Sequence, residues 1–164
     1  MDIIVLADTH LKNDINELPK QVVKAIRKSD LLLHAGDFKT LDFYNSLKNI
    51  INIRAVYGNM DKNNLKNQLN EKEIFELKGY KIAMIHGNQF NNLSIENLSY
   101  LFPEADIIIF GHSHKPLNKR IEGQLFFNPG SAVDKRLQDD YSYGIIKIED
   151  KNVVDKVFSK VIRF

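Results

Sequence analysis

The first half of the chain alternates between short, continuous apolar runs and longer segments whose apolar residues recur about every three or four positions. Short apolar runs are typical of buried strands, and the wider spacing is typical of a helix with one buried face. The pattern therefore predicts alternating strands and helices at 3–7, 18–27, 31–35, 41–50 and 51–57. Such alternation implies parallel strands joined by right-handed crossovers, with helices covering at least one face of the sheet.

Beyond residue 61 the apolar runs are separated by short polar turns, which is typical of antiparallel pairs. The predicted elements are a hairpin at 74–77 and 81–85, a helix at 95–102, a strand at 107–110, two strands on either side of Glu122-Gly123, and a second hairpin at 141–148 and 153–164. No internal repeat, linker or low-complexity tract interrupts the chain. We therefore expect a single α/β domain, 1–164, with a mixed second sheet.

Composition narrows the chemistry of any functional site. The 164 residues include no cysteine, so disulfides and thiolate metal ligands are excluded and a metal must be held by nitrogen and oxygen. A net charge of +2 with dispersed lysines is too weak for a dedicated nucleic-acid binder. The first residues lack the basic and apolar regions of a signal peptide, and no apolar run approaches the ~20 residues of a membrane span. We expect a cytoplasmic protein.

Five short polar fragments each follow the end of an apolar run, and they contain four of the five histidines. The carboxyl ends of parallel strands gather at one edge of a sheet, where ligands bind, so these fragments are expected to converge. Residues two apart in an extended segment share a side, which predicts two pairs of ligands, Asp8 with His10 and His112 with His114. The fragments are Asp8-Thr9-His10, Gly36-Asp37, Gly58-Asn59-Met60-Asp61, His86-Gly87 and Gly111-His112-Ser113-His114.

Each fragment also has an ordinary structural explanation. Asp8 with His10 would suit a helix cap beside a surface histidine, and Gly36-Asp37 a simple turn. Gly58-Asn59 would suit a tight turn, and His86 a histidine satisfied at a strand end. Five such fragments at strand ends, all with compatible ligand types, favour a metal site over these separate explanations.

The same fragments resemble the calcineurin-like metallophosphoesterases, whose successive blocks are DxH, GD, GNxx, a histidine before glycine, and GHxH. Asn128-Pro129-Gly130-Ser131 is similar to a further block of small family members. Length and block spacing resemble the small bacterial and archaeal phosphodiesterase branch, which is also similar to the eukaryotic retromer subunit of this fold. The resemblance implies a four-layer α-β-β-α sandwich of two mixed β-sheets flanked by helices.

The resemblance also implies a binuclear metal centre in which Asp37 bridges two divalent ions. A hydroxide shared by both ions would attack phosphorus, with Asp37, Asn59 and His86 acting through it. Two divalent cations, two carboxylates and one hydroxide leave a net charge of about +1, which matches a small phosphodiester anion. Mn²⁺ is the ion we expect first, and Ni²⁺, Fe²⁺, Co²⁺ and Zn²⁺ suit the same ligands. The implied ligands are Asp8, His10, Asp37 and His114 for one ion, and Asp37, Asn59, His86 and His112 for the other.

Four further residues have predicted roles near these ligands. Met60 stands where the family commonly has a histidine that protonates the leaving group, and methionine cannot transfer a proton. Asp61 either supports the ligands or caps the following helix, and we expect the cap. His34 is expected as a satisfied core histidine rather than a ligand, and a role in supporting the ligands stays open. Ser131 either offers a donor to bound phosphate or belongs to a Pro-Gly turn between strands.

These observations predict a metal-dependent hydrolase of phosphodiesters. Two alternatives stay open at this point: a protein-binding scaffold on the same fold with little or no catalysis, and a phosphomonoesterase. The retained ligand positions favour the enzyme over the scaffold. Association into homo-oligomers is left open.

Overall fold

The computed structural model describes residues 1–151 and 157–164, and all structural statements below concern these residues. The helices are α1 (Lys20–Ile26), α2 (Leu41–Lys48), α3 (Asn63–Lys66) and α4 (Ile95–Leu101), preceded by a 3₁₀ turn (Ile15–Glu17). The strands are β1 (Asp2–Leu6), β2 (Leu31–His34), β3 (Ile53–Ala55), β4 (Lys72–Leu77), β5 (Tyr80–Ile85), β6 (Ile107–Ile109), β7 (Leu117–Ile121), β8 (Gln124–Asn128), β9 (Ser142–Ile148) and β10 (Val157–Arg163).

The strands form two five-stranded mixed sheets. In the first sheet the order is β10-β9-β1-β2-β3, with β1, β2 and β3 parallel and β9 antiparallel to both β1 and β10. In the second sheet the order is β4-β5-β6-β8-β7, with β5, β6 and β8 parallel and antiparallel pairs at both edges. The predicted parallel first half and mixed second sheet are therefore confirmed.

Three apolar clusters fill the spaces between the four layers of the fold, which are two sheets and the helices on their outer faces. The central cluster lies between the sheets and joins Val5 and Leu33 to Ile82 and Phe127. A second cluster lies where α1 and α2 cover the outer face of the first sheet, and a third lies between α4 and the outer face of the second sheet. Because successive strand residues point to opposite faces, strands that are apolar on both faces require cover on both sides. The predicted α-β-β-α sandwich is confirmed.

Each predicted strand and helix has a counterpart, although several bounds differ. The third strand is shorter than the predicted 51–57, because pairing with β2 covers only Ile53–Ala55 and Ile51 instead packs in the cluster beside α2. The 3₁₀ turn and α3 were not predicted, since a single largely polar turn carries no helical periodicity. The predicted strand residues 153–156 lie outside the described residues.

Local sequence explains where the helices begin. The side chain of Thr40 accepts a hydrogen bond from the backbone N–H of Phe43 and thereby caps α2, while Ser94 caps α4 in the same way through Asn97. α2 buries Phe43 and Leu47 against the sheet. No helix among the described residues is long and apolar enough to cross a membrane.

Candidate metal centre

All five polar fragments follow the carboxyl ends of strands, and the structure brings them together where the two sheets meet. Backbone bonds tie neighbouring loops to each other: the N–H of Asp8 donates to the carbonyl of Gly36 (3.0 Å), and that of Gly111 donates to the carbonyl of His86 (3.0 Å). One bond crosses between the sheets, from the N–H of His112 to Oδ1 of Asp8 (3.2 Å). The convergence expected from strand ends is therefore seen.

Two groups of possible ligand atoms form at this edge. One group contains Asp8, His10 and His114, the other contains Asp8, Asp37 and His86, and within each the ligand atoms lie within 4.8 Å of one another. Oδ1 of Asp8 lies 3.5 Å from Nε2 of His114 and 3.9 Å from Nε2 of His86. Oδ2 of Asp37 lies 3.3 Å from Nε2 of His86 and 3.9 Å from Nε2 of His10. Both carboxylates are thus placed between the two groups.

The backbone orients two of the imidazoles toward this cluster. Nδ1 of His86 lies 2.8 Å from the carbonyl oxygen of Ala35, and Nδ1 of His114 contacts the carbonyl oxygen of Asp134. A carbonyl can only accept, so each Nδ1 carries the proton, and in the neutral ring Nε2 presents its lone pair. Such Nδ1–H bonds to carbonyls are typical of histidines that ligate metals through Nε2.

The carboxylates and histidines shift one another's pKa values. Burial raises the pKa of Asp8 to about 7, against the opposing effect of His86. Burial also disfavours the charged forms of Asp37 and His86, but their attraction for each other and their other polar contacts together outweigh it, so the pKa of Asp37 is lowered and that of His86 is raised. Burial is the main cause that lowers the pKa of His10, and the same holds for His114. These two rings are therefore neutral at pH 7 and able to act as ligands.

The predicted extended geometry of the ligand pairs is wrong, although Asp8 and His10 do come together in one group. Asp8, His10, His112 and His114 all have positive φ, between 50° and 65°, so neither segment is extended. The strands end before these residues, and left-handed turns aim their side chains instead. As a result His114 joins Asp8 and His10, whereas His112 turns toward His86, with ring centroids 5.2 Å apart.

Backbone strain concentrates at this site. Asp37 also has positive φ (61°), so five of the nine non-glycine residues with positive φ in the described part of the chain are proposed ligands. Each such residue costs on the order of 1 kcal/mol or more, and such strain clusters at functional sites. Two glycines make room for the ligands: a Cβ on Gly36 (φ 92°) would lie 2.8 Å from Nδ1 of His86, and one on Gly58 would collide with the Asp37 carboxylate.

Three of the predicted site residues lie at the open side of the cluster. Asn59 is exposed and His112 is partly exposed. The side chain of Met60 is also exposed (54%), while its backbone N–H donates to Oδ1 of Asp37 (2.8 Å). The Asn59 side chain lies on the loop that this hydrogen bond fixes against Asp37.

The predicted capping role of Asp61 is wrong. α3 begins after Lys62, and no side chain caps it. The buried Asp61 carboxylate instead accepts backbone hydrogen bonds from Asp37 (3.1 Å), Lys39 (2.7 Å) and Gly58 (2.8 Å). It therefore joins the loop after β2 to the loop after β3, and supports Asp37 from behind, which is the alternative role considered for it.

His34 and Ser131 are both buried and support neighbouring groups. Nε2 of His34 lies 3.1 Å from the hydroxyl of Thr9, and its ring stacks on Phe38, which agrees with a core histidine. Its Nδ1 is buried without a hydrogen-bond partner among the described residues, so the expectation that the ring is fully satisfied is wrong. The hydroxyl of Ser131 donates to the carbonyl oxygen of Asp8 (2.7 Å), so it holds the Asp8 loop and is not directed at a phosphate.

Two residues near the cluster were not anticipated from the sequence. The carboxylate of Asp134 lies 3.9 Å from Nε2 of His10 and 3.8 Å from Nδ1 of His114. Nε of Arg136 lies 3.8 Å from the same carboxylate. Both follow the Asn128–Ser131 block by a few residues, which was the only available signal, because their position depends on the path of a loop without secondary structure.

The residues present fit divalent cations. Oδ2 of Asp8 and Nε2 of His86 are buried and have no hydrogen-bond partner among the described residues. A buried polar atom without a partner is costly, and a cation coordinated by both would remove that cost. The donors are carboxylate oxygens and imidazole nitrogens, which suit transition-metal ions.

Comparison with known proteins supports this interpretation. Residues 1–151 match the family model of the calcineurin-like phosphoesterase superfamily domain. The chain is 32% identical to a probable metallophosphoesterase of Methanothermobacter thermautotrophicus over 161 residues, which are 97% of this chain and 90% of the relative.

Two solved structures share the fold. Zinc-bound Vps29 of Entamoeba histolytica superposes with a TM-score of 0.78 at 24% identity, with 99% of each chain covered. A protein described as a novel archaeal phosphodiesterase superposes with a TM-score of 0.73 at 24% identity, covering 99% of this chain and 100% of its own. The family match over most of the chain, together with the curated relative, shows that this protein belongs to the calcineurin-like phosphoesterase superfamily.

Proposed function

We propose that this protein is a metal-dependent phosphodiesterase with two divalent ions, and that Mn²⁺ is the ion it uses best. The observation that carries the proposal is the pair of buried carboxylates, Asp8 and Asp37, each within 4 Å of two imidazole nitrogens. When bound, the ions would supply Lewis acidity and lower the pKa of a water that attacks phosphorus.

The proposed ligand sets follow the two groups of atoms. Asp8, His10 and His114 would hold one ion, and His86 would hold the other together with His112 and Asn59, the two ligands at the open side. Asp37 would bridge, because its Oδ2 lies between His86 and His10. Oδ1 of Asp8 lies nearly as close to Nε2 of His86 as to Nε2 of His114, so this carboxylate would be available to either ion.

Charge favours a diester over a monoester as the substrate. The cluster contributes two carboxylates and neutral imidazoles, and Asn59 adds a neutral amide where another carboxylate would weaken the attraction for an anion. The small positive charge that remains matches the single negative charge of a diester. The archaeal neighbour described as a phosphodiesterase agrees with this choice.

The test is to load metal-stripped protein with Mn²⁺ and follow bis(para-nitrophenyl) phosphate and para-nitrophenyl phosphate in parallel. We expect turnover of the diester to exceed that of the monoester. A faster monoester would identify a phosphomonoesterase. Absence of turnover with Mn²⁺, Ni²⁺, Co²⁺, Fe²⁺ and Zn²⁺ would contradict the enzyme and favour a protein-binding scaffold, which the Vps29 neighbour brings into consideration.

A further inference from the structure

Arg136 lies on a loop that is tied to the metal cluster at several points. The hydroxyl of Ser131 accepts from the N–H of Asp134 (2.9 Å) while donating to the carbonyl of Asp8. The carbonyl of Asp134 in turn contacts Nδ1 of His114. Asp134 is therefore held in place by the cluster, and Arg136 follows it by two residues.

The guanidinium of Arg136 lies beside the cluster, and its ion pair with Asp134 occupies only one of its three nitrogens. Nε lies 3.8 Å from the Asp134 carboxylate, which is itself 3.9 Å from Nε2 of His10. The side chain is 51% exposed, and among residues 1–151 and 157–164 no group accepts a hydrogen bond from its two terminal nitrogens. Its backbone has positive φ (48°), a strained conformation of the kind found at functional sites.

The charge of Arg136 reaches the proposed ligands. Burial is the main influence on the pKa values of Asp8, His10, His112 and His114, and the positive charge of Arg136 is a further influence that lowers all four. A cation that acts on residues of both proposed ion sites also acts on an anion bound between them.

We propose that Arg136 binds the non-bridging oxygens of the substrate phosphodiester, anchored beside the cluster by Asp134. This role rests on the proposed function and adds a substrate-binding residue to it. A guanidinium fork matches the geometry of phosphate oxygens and stays charged at any working pH. It cannot protonate a leaving group, so it positions the substrate and does not replace the acid that Met60 lacks.

The competing explanation is a surface ion pair with Asp134 that has no role in binding. An exposed pair at this distance contributes little to stability, so this explanation predicts no effect of substitution on phosphate binding. The Arg136→Asn variant separates the two, because asparagine removes the cation and tolerates the left-handed backbone. Lys135→Gln is the matched control: it removes one positive charge from the same loop, but the Lys135 ammonium contacts the carbonyl of Asp139 and the ring of Tyr141.

The experiment measures binding of inorganic phosphate to the Mn²⁺-loaded protein by calorimetry, together with kcat and KM for bis(para-nitrophenyl) phosphate. We expect Arg136→Asn to weaken phosphate binding and to raise KM by about tenfold, with kcat within about threefold of the wild type. Arg136→Lys should recover part of the loss. Lys135→Gln should change both constants by less than about twofold, and the Mn²⁺ affinity should be the same in all four proteins.

Two results would overturn the inference. Equal phosphate binding by Arg136→Asn and Lys135→Gln would show that the guanidinium does not contact the anion. A loss of Mn²⁺ affinity in Arg136→Asn would show that it acts only through Asp134 and His114. Phosphate binding is measured without turnover, so a wild-type protein that hydrolyses no diester would defeat the proposed function and still leave the calorimetric comparison to decide the role of Arg136.

Discussion

The floor and the rim of the proposed metal centre differ in how firmly the protein holds them. The floor consists of Asp8, Asp37, His86 and His114, which are at most 2% exposed. The two carboxylates accept hydrogen bonds from neighbouring loops, and the two imidazoles donate to neighbouring loops. The rim consists of Asn59, Met60, His112 and Arg136, which are exposed or partly exposed. In the proposed function, the buried groups in fixed geometry would hold the ions, and the exposed groups would complete the ligand set and act on the bound anion and its leaving group.

The floor also needs both sheets. The first sheet supplies its carboxylates, from the loops after β1 and β2, and the second supplies its imidazoles, from the loops after β5 and β6. The carboxylates and the imidazoles of the floor therefore come from different sheets, and His10 adds one further imidazole from the first sheet. The contrast between floor and rim can be tested by substitutions that should have graded effects.

The largest effect is expected from the floor. Asp37→Asn and His86→Ala should each lower kcat/KM for a diester by more than about a thousandfold, because each removes a ligand from a site where two ions act together. Steady-state assays with added Mn²⁺ provide the measurement. Asp42→Asn, at an exposed carboxylate in the first turn of α2, is the control and should keep full activity. Full activity in either floor variant would show that the ligand assignment is wrong.

Asp8→Asn should reveal the cost of burying a floor carboxylate. The pKa of Asp8 is about 7 in the folded protein and 3.8 for the ordinary group, so the folded state holds a proton that the unfolded state loses between these values. The contribution of Asp8 to the stability of the metal-free protein should therefore be fully present below about pH 4 and should be lost as pH rises to about 7.

The difference of about three pKa units corresponds to at most about 4 kcal/mol. Asp8→Asn should therefore unfold at higher urea than the wild type at pH 8 in the presence of a chelator, although it loses activity. The two proteins should have similar stabilities at pH 4. Parallel stability curves across this range would contradict the raised pKa.

Substitution of Asp61, which supports the floor residue Asp37, should have a smaller effect than substitution of the floor residues themselves. Asparagine at position 61 would keep one accepting oxygen for three backbone N–H groups, so the loop that carries Asp37 should loosen. We expect Asp61→Asn to weaken Mn²⁺ binding by about 10–100-fold, measured by calorimetry. Asp106→Asn is the matched control, since Asp106 also accepts a backbone N–H, from Lys81, but lies away from the cluster. Equal Mn²⁺ affinity in both variants would show that Asp61 fixes the loop without affecting metal binding.

The smallest effect is expected at the rim. Met60→His places a proton donor on an exposed position, so it should raise kcat by less than about tenfold, and only for diesters with poor leaving groups. Alkyl and para-nitrophenyl diesters should be compared, with Met60→Gln as the control for polarity. An equal gain for both leaving groups would contradict the argument that this site lacks a general acid.

All four floor residues and three of the four rim residues could be named from the sequence, and Arg136 could not. Asp8, Asp37 and His86 could be found because ligand types follow buried strands, and parallel strands must end at a common edge. The role of Asp61 was mistaken because a carboxylate before a short helix is usually a cap, and only the loop path shows that it accepts from Asp37 and Gly58.

The backbone conformation of the loops could not be predicted from the sequence either. The extended pairing of His112 with His114 failed because both residues adopt positive φ, which the residue types permit but do not require. Asp134 and Arg136 were not found because they lie in an irregular loop, where the sequence has no periodicity to show which side chains face inward.

By itself, the sequence determined the order of the strands and of the longer helices and the set of residues at the strand ends, while the four layers were implied by the family resemblance of those residues. Hydrophobic periodicity is local, so the strands and helices follow from the chain alone. The tertiary structure decided which residues form the floor and which form the rim. That division depends on left-handed turns and on hydrogen bonds between loops distant in sequence, such as those that place Asp8 against His112 and Asp37 against Asp61.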